Sequence, residues 1–215
     1  MTALTPTNPS HDCPLCPRLV AFREEARAKF PDWHNGPVPN WGDEAPRLLI
    51  VGLAPGLKGA NRTGRPFTGD YAGDLLYATL KKFGLAEGEY EADPHDSLVL
   101  RDTLIVNSVR CVPPQNKPTG AEIATCRQFL VATIKANPQA KAMLALGRIG
   151  HDSLLSALGE RRAAFKFGHG ATHRLSDGRM LFDSFHCSRY NTNTGRLTTE
   201  MFEDVIGRAA AYIRE

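Results

Sequence analysis

Residues 47–83 read RLLIVGLAPGLKGANRTGRPFTGDYAGDLLYATLKKF. The first seven, Arg47 to Leu53, are a short run whose apolar residues fall on both faces, the pattern of a strand buried on both sides. A Gly/Pro-rich loop follows over Gly52–Gly73, and the chain then shifts to the period of an amphipathic helix over Gly73–Phe83. A buried strand that feeds a helix through a glycine-bearing loop is the building unit of an α/β sheet.

The same unit recurs along the chain. Thr103–Asn107, Ala142–Leu146 and Met180–Phe185 are further buried-strand candidates, and Leu19–Phe30, Gly120–Ala136, Ile149–Leu158 and Thr198–Tyr212 are helical candidates. The last carries Met201, Phe202, Val205, Ile206 and Ala209 on one face, so that face is expected to be buried. The order β-α-β-α-β-α-β-α behind an N-terminal helix predicts a three-layer α/β/α sandwich around a central four-stranded, mainly parallel sheet. Pro31–Pro46, Gly52–Gly73 and Gly168–Gly178 are expected to be loops inside the domain. In open α/β sheets ligands bind beyond the carboxyl ends of the strands, so chemistry is sought after Leu53, Asn107, Leu146 and Phe185.

With 215 residues the chain fits one domain spanning 1–215, since single cores grow to roughly 250–300 residues. No stretch approaches the ~20 apolar residues of a membrane span, and MTALTPTNPSHDCP lacks the apolar core of a secretion signal. The expectation is a soluble intracellular (cytoplasmic) protein. The net charge of +3 does not advertise a polyanion partner, but the charge is uneven. Leu85–Asp102 holds six acids and one base, whereas Lys141–Leu175 holds six bases and two acids. A one-faced basic surface could track phosphates; solvated faces without a ligand explain the charge equally well.

Five cysteines are the unusual feature of the composition. Cys13 and Cys16 form a C-x2-C pair, and Cys111 and Cys126 a wider one, so four thiolates can meet on one metal or cluster. Spacing does not separate zinc from iron–sulfur, and separate buried thiols are the competing explanation.

The loop after Leu53 is not a standard nucleotide site. Leu57 stands where a P-loop needs its second glycine, Gly59 follows Lys58 where Ser or Thr is required, and G-x-G-x-x-G is absent. After Phe185 the chain runs His186-Cys187-Ser188-Arg189-Tyr190-Asn191-Thr192-Asn193-Thr194-Gly195-Arg196-Leu197. A histidine at a strand end, followed by a polar loop with two arginines, suits proton or hydrogen-bond chemistry on an anionic ligand. His11, His34, His95, His151, His169 and His173 lack that context and are expected to be surface or structural residues.

These features together resemble the uracil-DNA glycosylase superfamily, and most closely its iron–sulfur branch known as family 5. The resemblance rests on Cys13-x2-Cys16, Gly52-Leu-Ala-Pro-Gly56, Asn61-Arg-Thr-Gly-Arg-Pro-Phe-Thr-Gly-Asp70, Asn107, Cys111-x14-Cys126 and His186–Leu197, which together span nearly the whole chain. The sister branch, family 4, resembles Gly-Glu-Ala-Pro-Gly where this chain has Gly52–Gly56. The resemblance implies a 4Fe–4S cluster on Cys13, Cys16, Cys111 and Cys126, with a structural role. It also implies a monomeric enzyme that flips uracil, and other deaminated or C5-modified bases, out of double-stranded DNA and hydrolyses the N-glycosidic bond. The alternatives are a non-enzymatic, metal-stabilised nucleic-acid-binding module and a uracil-specific enzyme of the family 4 kind.

By the same resemblance Gly52, Ala54 and Gly56 line the base site, Phe67 stacks on the base, Asn107 reads its edge and His186 stabilises the departing anion. Arg62, Arg65, Ser188 and Arg189 are expected to contact phosphates. The sequence departs from the wider superfamily at three places. Ala54 and Leu53 replace the carboxylates that activate water in other branches, so Asp70 is the expected water-orienting group. Gly56 replaces a tyrosine that blocks 5-methyl groups, which predicts wider specificity. Cys187 replaces the proline of a His-Pro-Ser motif.

Overall fold

A computed structural model describes residues 6–215; residues 1–5, the start of the N-terminal stretch in which no secretion signal was read, lie outside the described residues. The strands are β1 (Trp41–Gly42), β2 (Leu48–Gly52), β3 (Ala86–Glu87), β4 (Val99–Leu100), β5 (Thr103–Asn107), β6 (Ala142–Leu146), β7 (Thr172–Arg174) and β8 (Met180–Ser184). The helices are α1 (Pro17–Lys29), α2 (Ala60–Thr63), α3 (Tyr71–Lys82), α4 (Gly120–Ala136), α5 (Arg148–Leu158), α6 (Arg189–Asn193) and α7 (Thr199–Arg214).

The central sheet has the order β1-β5-β2-β6-β8-β7. Its inner four strands, β5, β2, β6 and β8, are parallel and are the four expected from their apolar runs. The sheet is nevertheless six-stranded, because the short strands β1 and β7 add antiparallel edges. Two- and three-residue strands show no periodicity, and for that reason the sequence did not reveal them.

Alternation along the strands assigns the two layers. Leu48 and Ile50 face α3 and α7, whereas Leu49 and Val51 face α4 and α5, and all four are fully buried. Helix starts are set by polar caps: Asp70 accepts from Gly73 N–H to start α3, and Thr119 with Glu122 forms a capping box on α4. The chain leaves β2 for β5 on one side and reaches β6 on the other. The crevice beyond β2 and β6 is therefore the topological switch point.

Candidate active site

All the expected base-site residues except Gly52 line one pocket at the carboxyl ends of the strands. A small inner pocket is lined by Ala54, Pro55, Gly56, Ala60, Phe67, Asp70, Ala72, Asn107 and His186. It adjoins a cleft of about 640 Å³ that shares Ala54, Gly56, Asp70, Ala72 and His186 with it and reaches Ser188, Arg189, Arg148 and Arg196.

Asn107 ends β5 and is buried, and His186 follows the end of β8. Among the described residues, neither the Asn107 carboxamide nor the His186 ring hydrogen-bonds to protein. His186 is half-buried, and neither side chain is among the fully buried polar groups that lack a partner, so both are open to the pocket and free to bond a ligand there. Burial pulls the His186 pKa down to about 4, and the ring is neutral at physiological pH. Its backbone is held by Asn191 Nδ2, which donates to the His186 carbonyl at 2.8 Å. The Phe67 ring lies nearly parallel to that of His186, with centroids 5.8 Å apart and planes at 28°.

Asp70 divides its two oxygens. Oδ1 accepts from Gly73 N–H at 3.3 Å to cap α3, while Oδ2 faces the Gly56–Gly59 turn. Burial raises its pKa above the usual carboxylate value, and the helix amides oppose that shift. The approach is close enough that a Cβ on Gly59 would lie 2.5 Å from Oδ2. Gly52 sits behind the pocket, where a Cβ would lie 2.5 Å from Asn107 Oδ1 and 3.0 Å from Phe67 Cζ. On Gly56 a Cβ would meet Asp70 Oδ2 at 3.4 Å, an ordinary contact.

The expected phosphate contacts divide. Ser188 caps α6 and lines the cleft, and Arg189 lies in the cleft with its guanidinium 5.3 Å from the Tyr71 ring. Arg62 is exposed on α2, outside the cleft lining. Arg65 must be corrected: its side chain is 4% exposed and pairs with Asp96 at 2.7 Å, so it cannot reach DNA. Its charge is consumed inside the protein by a carboxylate 31 positions away, which no local motif announces. Arg196, the second arginine of the polar loop that the sequence marked for an anionic ligand, also lines the cleft, as does Arg148, which the sequence did not single out. Arg148 stands one residue past the glycine that follows β6, a location that the strand-end rule already marked.

The four candidate cysteine ligands surround a second cavity, together with Leu19, Val109 and Phe129. Cys16 stands at the residue before α1, Cys111 follows β5 and Cys126 lies on α4, so the group gathers thiols from three elements. No disulfide joins them. Among the described residues, the one trio of His, Cys, Asp or Glu whose ligand atoms lie within 4.8 Å of one another is His151, His173 and Asp183. No three of the four cysteine sulfurs therefore lie within 4.8 Å of one another. Burial pushes the Cys16 thiol up to about 11 and that of Cys111 to about 12, with neighbouring thiols adding to both. Such thiols do not ionise readily alone, and a bound cation would deprotonate them. Cys187 stands apart, fully buried, with its thiol donating to the Ala72 carbonyl at 3.4 Å.

The remaining histidines lie outside the pocket. Both His151 nitrogens are engaged, Nδ1 with Asp183 at 2.8 Å and Nε2 with the Phe165 carbonyl at 3.0 Å. His173 binds the other Asp183 oxygen at 3.2 Å. That trio fastens α5 and β7 to β8, and His151 also holds the Phe165 segment before β7.

A family model described as the uracil DNA glycosylase superfamily matches residues 39–209. The Type-5 uracil-DNA glycosylase of Thermus thermophilus is 46% identical over 203 residues, covering 92% of each chain. That of Mycobacterium tuberculosis is 43% identical over 206 residues, covering 92% of this chain and 76% of the relative. A Type-4 uracil-DNA glycosylase of Pyrobaculum aerophilum is 31% identical over 151 residues, covering 70% and 63%.

Proposed function

The chain belongs to the uracil-DNA glycosylase superfamily, and on that premise we propose that it is a DNA-repair enzyme that hydrolyses the N-glycosidic bond of uracil in DNA and leaves an abasic site. The observation that carries the reading is the convergence of an unpartnered Asn107 amide, an unpartnered neutral His186 ring and the Asp70 carboxylate on one pocket beside an arginine-bearing cleft.

In this reading the nucleotide leaves the duplex and its base enters the inner pocket beside Phe67. Asn107 pairs with the polar edge of the base. As the C1′–N bond breaks, its electron pair departs with the base, and His186, neutral and desolvated, donates a hydrogen bond to the oxygen where negative charge grows. Asp70 holds the attacking water. The water oxygen bonds to C1′ and its proton passes to the carboxylate, whose raised pKa suits that transfer. Arg148, Arg189 and Arg196 meet phosphates along the cleft.

We further propose action on double-stranded DNA inside the cell, and release of other deaminated or C5-substituted bases, because Gly56 leaves the pocket wall without a side chain. The enzyme is proposed to act as a monomer. Short antiparallel edge strands close the sheet, and Tyr71, Ile149 and Tyr190, three of the five exposed large hydrophobics among the described residues, line the cleft. No helix among the described residues is long and apolar enough to cross a membrane. Cys13, Cys16, Cys111 and Cys126 are proposed to hold a 4Fe–4S cluster. Once bound, it would cross-link the segment before α1, the loop after β5 and α4 through its sulfur ligands.

The test is base release from duplexes carrying uracil, hypoxanthine or hydroxymethyluracil, with His186→Ala and Asp70→Asn alongside. Uracil release that depends on His186 is expected; intact uracil duplex after incubation with active-site-saturating enzyme would refute the glycosylase reading. Release confined to uracil would refute the wider specificity alone. Anaerobically purified protein should be brown, and a colourless protein with stoichiometric zinc would overturn the cluster.

A further inference from the structure

The acid-rich stretch between Leu85 and Asp102 has no part in the reading above, yet it folds against the loop that carries Phe67. Phe67 has φ +51°, a conformation that bulky residues adopt only when their surroundings hold them there. Two phenols grip this loop. Tyr90 Oη donates to the Phe67 carbonyl at 3.2 Å and accepts from Gly69 N–H at 3.3 Å, while Tyr77 Oη donates to the Pro66 carbonyl.

A buried charge backs them. Arg65 Nε donates to Thr68 Oγ1 at 2.7 Å, and its two terminal nitrogens each donate to one Asp96 oxygen at 2.7 Å. The Asp96 carboxylate also accepts from Glu91 N–H and Leu98 N–H, which anchors the acid-rich stretch. The guanidinium stacks beneath Trp41 at 4.8 Å and packs beside the rings of Tyr77 and Tyr90. Of these groups, Tyr90 alone bonds the loop on both sides of Thr68, at Phe67 and at Gly69.

We propose that Tyr90 is a positioning residue for base recognition: its hydroxyl locks the left-handed backbone of Phe67 and so keeps the Phe67 ring beside His186 in the pocket. The catalytic consequence rests on the glycosylase reading; the positioning itself does not. Asp96 and Arg65 supply the platform on which the Tyr90 ring lies.

Tyr90→Phe removes the hydroxyl and leaves the ring packed on Tyr77, with centroids 4.7 Å apart, so the fold is expected to survive. Amide exchange of residues 67–70 should quicken about 10-fold, while that of Ala142–Leu146 stays unchanged. Single-turnover uracil release should fall about 10-fold in the wild-type background and no further when Phe67 is already alanine. Equal losses in both backgrounds, or unchanged exchange over 67–70, would overturn the proposal. If the wild-type protein releases no uracil, the glycosylase reading falls, and the exchange measurement still decides the positioning role.

Discussion

Gly52→Ala offers a sharp test of the pocket because the added methyl group presses on two pocket residues, Asn107 and Phe67. Gly52 is the last residue of β2, paired with Asn107 across the parallel ladder, and its carbonyl accepts from the Ser108 amide and hydroxyl. An alanine there meets no left-handed backbone; its whole effect lies in the added methyl group. That carbon would stand 2.5 Å from Asn107 Oδ1 and 3.0 Å from Phe67 Cζ. Relief at Asn107 requires a retreat of about 1 Å, and a misplacement of that size at reacting groups costs roughly 10²-fold in rate. Overpacking adds a destabilisation of about 1–3 kcal/mol. The neighbours provide the scale. Gly59→Ala crowds Asp70 Oδ2 at the same 2.5 Å and should lose a comparable factor, whereas Gly56→Ala makes an ordinary 3.4 Å contact and should stay within about 3-fold on uracil. The assay is single-turnover cleavage of an end-labelled uracil duplex followed by alkaline strand scission, with circular dichroism and thermal melting to confirm folding. A folded Gly52→Ala protein within about 3-fold of wild type would refute the placement of Asn107 in base recognition, as would Gly56→Ala losing as much as Gly52→Ala.

Other predictions follow from charge. Asp70 has a raised pKa in the folded state, so the folded protein binds its proton more tightly than the unfolded chain, and stability falls as pH rises through that window. Asp70→Asn keeps a good helix cap; it should therefore raise the melting temperature at pH 7 while erasing the acidic limb of the rate profile. An unshifted acidic limb in Asp70→Asn would assign that ionisation to another group. Arg148→Ala and Arg189→Ala should each lower the slope of log affinity against log salt by about 1. Arg65→Ala should leave that slope alone and instead destabilise by about 3–5 kcal/mol, because it strands the Asp96 carboxylate in the interior. A reduced slope in Arg65→Ala would restore it to the DNA surface. Cys126→Ala should abolish the visible band of anaerobically purified protein and lower its melting temperature; an unchanged spectrum would remove Cys126 from the ligand set.

Much of this was legible along the chain. Apolar runs flanked by turn residues mark β2, β5, β6 and β8, because a strand covered on both faces must be apolar at every position. The strand-end rule marked the region where Asn107, Gly147 and His186 lie, and a close run of motif residues placed Asp70 and Phe67 in the same loop.

What the linear chain could not carry was the fate of each charge. Arg62 and Arg65 sit three positions apart in one motif, yet one is exposed and the other is buried against Asp96. Arg148 looks like any helix-start arginine until α5 is packed beside β6 and its side chain is seen to line the cleft. The sequence by itself determined the layers and the parallel core, since those follow from local periodicity, while the pocket residues were marked by the run of motifs that resembles the family. The tertiary structure alone decided which arginines line the cleft and which is buried in an ion pair, which thiols surround one cavity and what holds Phe67 in its strained backbone. Each of these depends on groups tens of residues apart, and burial and Coulombic pairing act through space without regard to distance along the chain.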